Sequence, residues 1–438
     1  MKKQISKTIP QSELVQPKCK GKIIYCTDHA RQTGFGKVAD NVCKALADDG
    51  YEVYYLGWGF RSSEPLRREN YVMLPCGAGQ FGEDVLGNYI MGIKPDILIT
   101  QADTRMIAWL PELLTKVPHK PTWLIYPVID GNIWDIKSAN NKWPSNWTDI
   151  IKSANKIVAM TNYGKDIMTA NGIESTTIYH GVDTNSFKPA SKETKKEIRR
   201  NAGIPEDAFI VGGVFKNMQR KNPQQYLQAF KIFLDKLPAK EQEKCILVLH
   251  TSPQPSGPFE LDLVQHAKDY GIEVGKQLVF SNGMLPPQNM PYLYESLDVY
   301  LQLGGMEGFC LPLAEAMSCG LPIIALESST HSELLSGTGL ISPAPTFKGH
   351  PKARVTFGSY NGVECDICNP WDVAEKLYTL YNNKAMRDEL GFKTAERASQ
   401  VFENAVVNKQ WCELVKTLVV TEEQIPDEWK KLYEETNV

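Results

Sequence analysis

Short apolar runs alternate with longer amphipathic stretches along most of this 438-residue chain. In the first half the runs fall at Lys22–Thr27, Glu52–Trp58, Ile97–Gln101, Thr122–Val128, Lys156–Thr161 and Ser175–His180. Between the first two, Phe35, Val38, Ala39, Val42, Cys43 and Leu46 share one face of a helical repeat. The second half repeats the pattern at Phe209–Phe215, Cys245–Thr251, Gln277–Asn282, Val299–Leu303, Pro322–Leu326 and Gly339–Ser342. Strand runs separated by helices predict parallel sheets covered on both faces. The expected class is α/β, with two doubly wound, Rossmann-like domains facing each other across a cleft. Ligands of such sheets sit beyond the carboxyl ends of the strands.

Polar stretches set the boundaries. Residues 1–20 read as a flexible tail and 21–186 as the first domain. Residues 187–206 carry Lys188, Lys192, Lys195, Lys196, Arg199 and Arg200 beside Glu193 and Glu197, and read as a linker with a solvated helix. Residues 207–400 form the second domain, and 401–438 hold terminal helices. Residues 58–90, with Arg61, Arg67 and Arg68, read as a solvated or acceptor-binding loop.

Composition narrows the function classes. A net charge of −3 supplies no pull toward nucleic acid or anionic membrane. No apolar run reaches the roughly 18–20 residues of a spanning helix. The polar N-terminus lacks the apolar core of a signal peptide, so the expected location is the cytoplasm. The ten cysteines are scattered, mostly in apolar segments, as buried reduced thiols are. Cys365-x-x-Cys368 has no second pair nearby and reads as coincidence.

The stretch Gly304–Pro322, GGMEGFCLPLAEAMSCGLP, carries the most chemistry. Pro312 suits a first helical position, and Cys319-Gly320-Leu321-Pro322 reads as a helix stop. The amides of Gly308, Phe309, Cys310 and Leu311 then precede a helix N-terminus, which favours an anion such as phosphate. Glu307 and Glu315 bracket them, and a carboxylate can accept from both hydroxyls of a vicinal diol. Either glutamate alone reads more plainly as a loop or helix-start acid. Together with the loop they form the pattern of a nucleotide-sugar site.

Glu307-x7-Glu315, within EGFCLPLAEAMSCGLPII, resembles the Glu-x7-Glu signature of the retaining glycosyltransferases of family 4, which have the GT-B fold. The resemblance implies that Glu307 contacts the transferred sugar and Glu315 the donor ribose. Gly34 and Gly36, in TGFGK after the first strand, are similar to the family's N-terminal glycine loop against the donor phosphates. FKNMQRKNP after the strand Phe209–Phe215 resembles the family's Arg-x4-Lys region, which grips the diphosphate. Lys216 stands where arginine is usual, Lys221 keeps its place, and Arg220 offers a fork that Lys216 lacks. Ser281–Tyr294, including Met284, is expected to border the nucleobase. Asp130 follows a strand end where many members carry a sugar-contacting histidine, and Trp123, Trp134, Trp143 and Trp147 surround it as packing or as a stacking platform. Tyr179–Pro189 resembles the segment closing the first domain, with His180 at a turn. Ser328 or Ser329 is the expected N-cap of the following helix. Residues 344–366 look like an insertion, and the last helix is expected to return to the first domain.

The expected function is retaining transfer of a hexose from a nucleoside-diphosphate sugar, with Glu307, Lys221 and Asp130 as catalytic candidates. The chain contains no Asp-x-Asp, and cations with helix-end amides can stabilise a leaving diphosphate, so no metal and no cofactor is expected. The donor stays open between UDP- and GDP-sugars. The acceptor stays open among a glycan, a glycolipid and DNA, and peripheral membrane contact is not excluded. A nucleotide-sugar epimerase of the same architecture and a non-catalytic nucleotide-sugar-binding subunit are the rival readings.

Overall fold

Consecutive apolar residues become strands buried on both faces. The computed structural model describes residues 19–30, 33–132, 145–281, 285–346, 354–356 and 363–419. In the first domain the strands are β1 (Lys22–Asp28), β2 (Glu52–Trp58), β3 (Leu66–Arg67), β4 (Val72–Leu74), β5 (Ile97–Ala102), β6 (Thr122–Pro127), β7 (Lys156–Ala159) and β8 (Thr176–Thr177). They lie in the order β3-β4-β2-β1-β5-β6-β7-β8, parallel except for β3 against β4. In the second domain β9 (Phe209–Val214), β10 (Cys245–His250), β11 (Leu278–Phe280), β12 (Val299–Gln302), β13 (Ile323–Leu326) and β14 (Leu340–Ser342) lie in the order β11-β10-β9-β12-β13-β14, all parallel.

Chain order reverses between β1 and β5 in one sheet and between β9 and β12 in the other. At such switch points the loops leaving adjacent strands diverge and open a crevice at their carboxyl ends. The glycine loop follows β1, the Lys216–Lys221 segment follows β9, and the Gly304–Leu311 loop follows β12. Three of the motif segments thus leave switch-point strands.

Three expectations change. Residues 58–90 are not wholly loop: they hold the edge strands β3 and β4 and begin the helix Leu86–Ile93. The 187–206 helix, Lys192–Asn201, is not solvated all round, because Arg199 is buried. Its guanidinium donates to the carbonyls of Ser296, Glu206 and Ala208 and pairs with Asp298 at 2.7 Å, which satisfies a charge that burial would otherwise penalise. The 344–366 segment contains a short antiparallel pair, β15 (Arg354–Thr356) and β16 (Glu364–Asp366). The Asp366 amide donates to the Gly305 carbonyl at 2.9 Å and the Glu364 amide to Asn132 at 3.0 Å, so β16 links both domains.

The helix Asn404–Leu418 packs on the helix Gly34–Asp48 of the first domain. The side-chain amides of Asn41 and Asn408 donate to each other at 2.8 and 3.2 Å, and buried Trp411 meets Tyr126 edge-on. The carboxylate of Glu333 accepts from the amides of Asn162 and Tyr163 and from the Tyr179 hydroxyl, at 2.7–2.8 Å. A second-domain acid therefore caps the helix Asn162–Ala170 of the first. All ten cysteines are unpaired. Among the described residues no helix is long and apolar enough to cross a membrane.

Candidate active site

Two steric constraints shape the loop after β12. A Cβ on Gly305 would lie 2.3 Å from the Asp366 carbonyl, and one on Gly308 would lie 2.9 Å from Val128 of the first domain. Only glycine lets the loop approach both neighbours. Cys310 then takes a left-handed conformation, φ 80°, and the helix Leu311–Ser318 starts with Pro312 in its first turn. Ser328, Ser329 and Thr330 hold the loop. Ser328 Oγ donates to the Gly305 carbonyl at 2.6 Å and Thr330 Oγ1 to the Phe309 carbonyl at 2.9 Å, while Ser329 Oγ accepts from the Glu307 amide at 3.0 Å. This corrects the expected N-cap: the helix His331–Leu335 follows Thr330 with no side-chain cap bond, because these hydroxyls serve the loop.

Glu307 is buried, and one carboxylate oxygen is in contact with Lys221 Nζ while the other lies 3.6 Å from Arg220. Burial pushes its pKa up, but Lys221 and then Arg220 more than offset this and hold the carboxyl below its usual range. Arg220 also donates to the Met306 carbonyl at 2.8 Å. Glu307, Cys310 and His331 place ligand-type atoms within 4.8 Å of one another. Two cations already hold this carboxylate, and burial pushes the Cys310 thiol up, so the electrostatics disfavour a divalent ion there. His331 is fully buried, with Nδ1 at 3.0 Å from the Leu326 carbonyl.

Glu315 is buried too, and holds different partners. Tyr294 donates to one oxygen at 2.8 Å, and Lys37 Nζ, from the first domain, lies 2.7 Å from the other. Glu315 and Lys37 line a cavity of about 670 Å³ together with Gly34, Lys216, His250 and Met290. Leu311 and Pro312, at the helix start, form part of the same wall. Gly34 sits in the wall, whereas the Gly36 amide is taken by Thr33 Oγ1 at 3.1 Å as a helix cap.

Asp130 lies elsewhere, in a recess shared with Asp103, Arg105, Trp147, Met306 and Val363. Its carboxylate is 3.3 Å from where a Gly308 Cβ would stand. Burial, and then the Asp130 charge, push Asp103 up to about 6, against the pull of Arg105 and Arg220. A carboxyl that binds its proton more tightly when folded costs stability as it ionises, between roughly pH 4 and 6. Asp103→Asn should therefore stabilise the protein above about pH 6, by ~1 kcal/mol after allowance for solvent at a partly exposed side chain, and have no effect near pH 4. Melting curves across that range test it.

The structure thus divides the expected cations. Lys216 is exposed in the cavity wall, while Arg220 and Lys221 turn to Glu307. The Phe309 ring packs on His180 at 4.5 Å between centroids, so only its backbone faces the helix mouth. His180 is buried, and burial pushes its imidazole down to about 3. Trp123 is a core residue donating to Thr100, and Trp147 joins the Asp130 recess. Met284, Trp134 and Trp143 lie outside the described residues. Lys37, His250 and Asp103 were missed. Asp103 follows β5, one of the switch-point strands, and that topology could have pointed to it.

Residues 194–397 match the family model described as "Glycosyl transferases group 1". The fold is GT-B. A sucrose-phosphate synthase from Thermosynechococcus elongatus superposes with a TM-score of 0.71 at 16% identity, covering 91% of this chain and 98% of that one. Anabaena HepE in complex with UDP-glucose gives 0.66 at 14% identity, covering 91% and 100%. At these identities the likeness shows the GT-B fold alone. Among curated proteins, the D-inositol 3-phosphate glycosyltransferase of Corynebacterium kroppenstedtii is 27% identical over 258 residues, covering 57% of this chain and 51% of its own. The lipopolysaccharide core biosynthesis mannosyltransferase LpsB of Rhizobium meliloti is 27% identical over 189 residues, covering 42% and 51%. This GT-B chain spans about half the length of the curated relatives it matches.

Proposed function

We propose that the protein is a retaining glycosyltransferase that moves a hexose from a nucleoside-diphosphate sugar to a hydroxylated acceptor without a metal. One observation carries the reading. A single cavity combines a helix N-terminus at Leu311, a buried carboxylate at Glu315 and lysines from both domains, Lys37 and Lys216. Amides and ammonium groups suit a diphosphate, and the carboxylate suits a ribose diol. The group 1 match over residues 194–397 and the UDP-glucose bound by the HepE neighbour agree with a nucleotide-sugar donor.

In this reading the nucleoside lies along His250 and Met290, Glu315 takes the ribose, and Glu307 positions hydroxyls of the transferred sugar. As the anomeric bond breaks, negative charge grows on the leaving phosphate, and the lysines with the 308–311 amides stabilise that charge more than the ground state. The acceptor attacks from the leaving-group face and its proton passes to the phosphate, so Glu307 forms no covalent bond. Asp130, beside Gly308, and Asp103, in the same recess, would receive acceptor hydroxyls.

A thermal-shift panel of UDP-, GDP- and ADP-sugars tests the donor. The matching sugar nucleotide at a hundredfold excess over its Kd should stabilise the protein by ~2.7 kcal/mol, equally with magnesium or with chelator. Stabilisation that requires the metal would refute metal independence, and none with any donor would refute the function.

A further inference from the structure

We propose that Lys37 is a phosphate ligand of the donor, parked on Glu315 until the donor arrives; this rests on the donor reading above. The pair joins positions 278 residues apart, one in each domain, and both side chains line the same cavity. The Glu315 side chain is 5% exposed and borders both that cavity and an adjacent one beside Asp40 and Asn41. Tyr294 holds one oxygen and Lys37 the other. A ribose diol that reads both oxygens competes directly with the ammonium.

The exchange balances in charge. A lysine driven from its carboxylate loses that counter-ion, at a cost. A diphosphate entering the same cavity supplies one. The Lys37 side chain keeps 30% exposure, so its flexible stem has room to swing. Lys216 stands in the same wall from the other domain, so the two ammonium groups would hold the diphosphate from both sides of the cleft. Binding a donor then means that Glu315 trades a lysine for hydroxyls while Lys37 trades a carboxylate for phosphate. The interdomain bond is replaced by one that runs through the ligand.

Binding to purified full-length protein separates this role from that of a simple latch. Calorimetry with UDP, GDP and ADP, each beside its nucleoside, identifies the base on the wild type. Lys37→Met should weaken the nucleoside diphosphate roughly tenfold or more, as losing a charged hydrogen bond does. The nucleoside should bind as well as before or better, since its ribose no longer displaces an ammonium. Lys37→Arg should retain most of the diphosphate affinity. If Lys37→Met changes nucleoside and diphosphate affinity by the same factor, or tightens both, Lys37 is only a latch and the assignment is overturned. If the wild type binds none of the three diphosphates, the donor reading itself falls, and the assignment with it.

Discussion

Glutamine in place of Glu307 is expected to lower turnover on the matching donor by about 10²-fold, the scale of losing a substrate-positioning contact. Affinity for the nucleoside diphosphate should stay within a few-fold of wild type. The split follows from the placement of the two acids. Glu315 lines the cavity proposed for the nucleotide, whereas Glu307 lies in a separate cluster with Lys221 and Arg220. The amide keeps the shape but loses the acceptor-only character that reads sugar hydroxyls. It also removes the buried charge that two half-buried cations share, so the ligand-free variant should lose about 3 kcal/mol of stability. Nucleoside diphosphate should stabilise the variant and the wild type by about the same amount, because the cavity proposed for it is lined by Lys37 and Lys216 and not by Lys221. Turnover assays, with melting curves run with and without the diphosphate, check all three outcomes. Unchanged turnover would remove Glu307 from the chemistry.

The elements that build this site were legible because their signal is local. Strands buried on both faces appear as unbroken apolar runs, and β9 and β12 were placed to within one residue. The helix Leu311–Ser318 announces itself by Pro312 at its start and Gly320 beyond its end. The failures are of another kind. β3 and β4 are two and three residues long, too short to carry a period. Arg199 sits in a charged run like any solvated residue, and only the fold brings the carbonyls and Asp298 that bury it. Ser328 and Ser329 have the composition of a helix cap, but tertiary contact gives their hydroxyls to the Gly304–Leu311 loop. Lys37 is one lysine on an amphipathic helix, and nothing nearby in sequence marks it as the partner of a carboxylate in the other domain. Motifs report what lies within one loop and one helix. The pairs that cross the cleft are set by how the two sheets face each other, which no window of residues contains.

Lys221→Met should cost about 10²–10³ in kcat, comparable to removing one donor that stabilises developing negative charge. In the proposed mechanism this lysine acts on the charge of the leaving phosphate, and the structure gives it a second partner, Glu307. It is also the foremost cation holding Glu307 ionised against burial, ahead of Arg220. Without it, burial acts against Arg220 alone, and neutral neighbours such as Gln302 and the Cys310 thiol add no positive charge. His331 is held neutral chiefly by burial, and losing the nearby ammonium lets it protonate more readily, though not enough to replace a lysine. The Glu307 carboxyl should therefore protonate at a higher pH in the variant. The expected sign follows: wild-type activity should be retained to lower pH because Glu307 is held below the usual range, and in Lys221→Met the acid limb should move toward neutrality. A lysine that met only the leaving phosphate would lower the plateau and leave that limb where it was. Lys221→Arg supplies the control, since a guanidinium keeps the carboxylate ionised while changing how phosphate is gripped. It should restore the acid limb fully and the plateau only in part. A pH–rate profile of kcat for the three proteins decides between one role and two: a plateau in Lys221→Met equal to that of the wild type would eliminate the role at the phosphate, and an unmoved acid limb the role at Glu307.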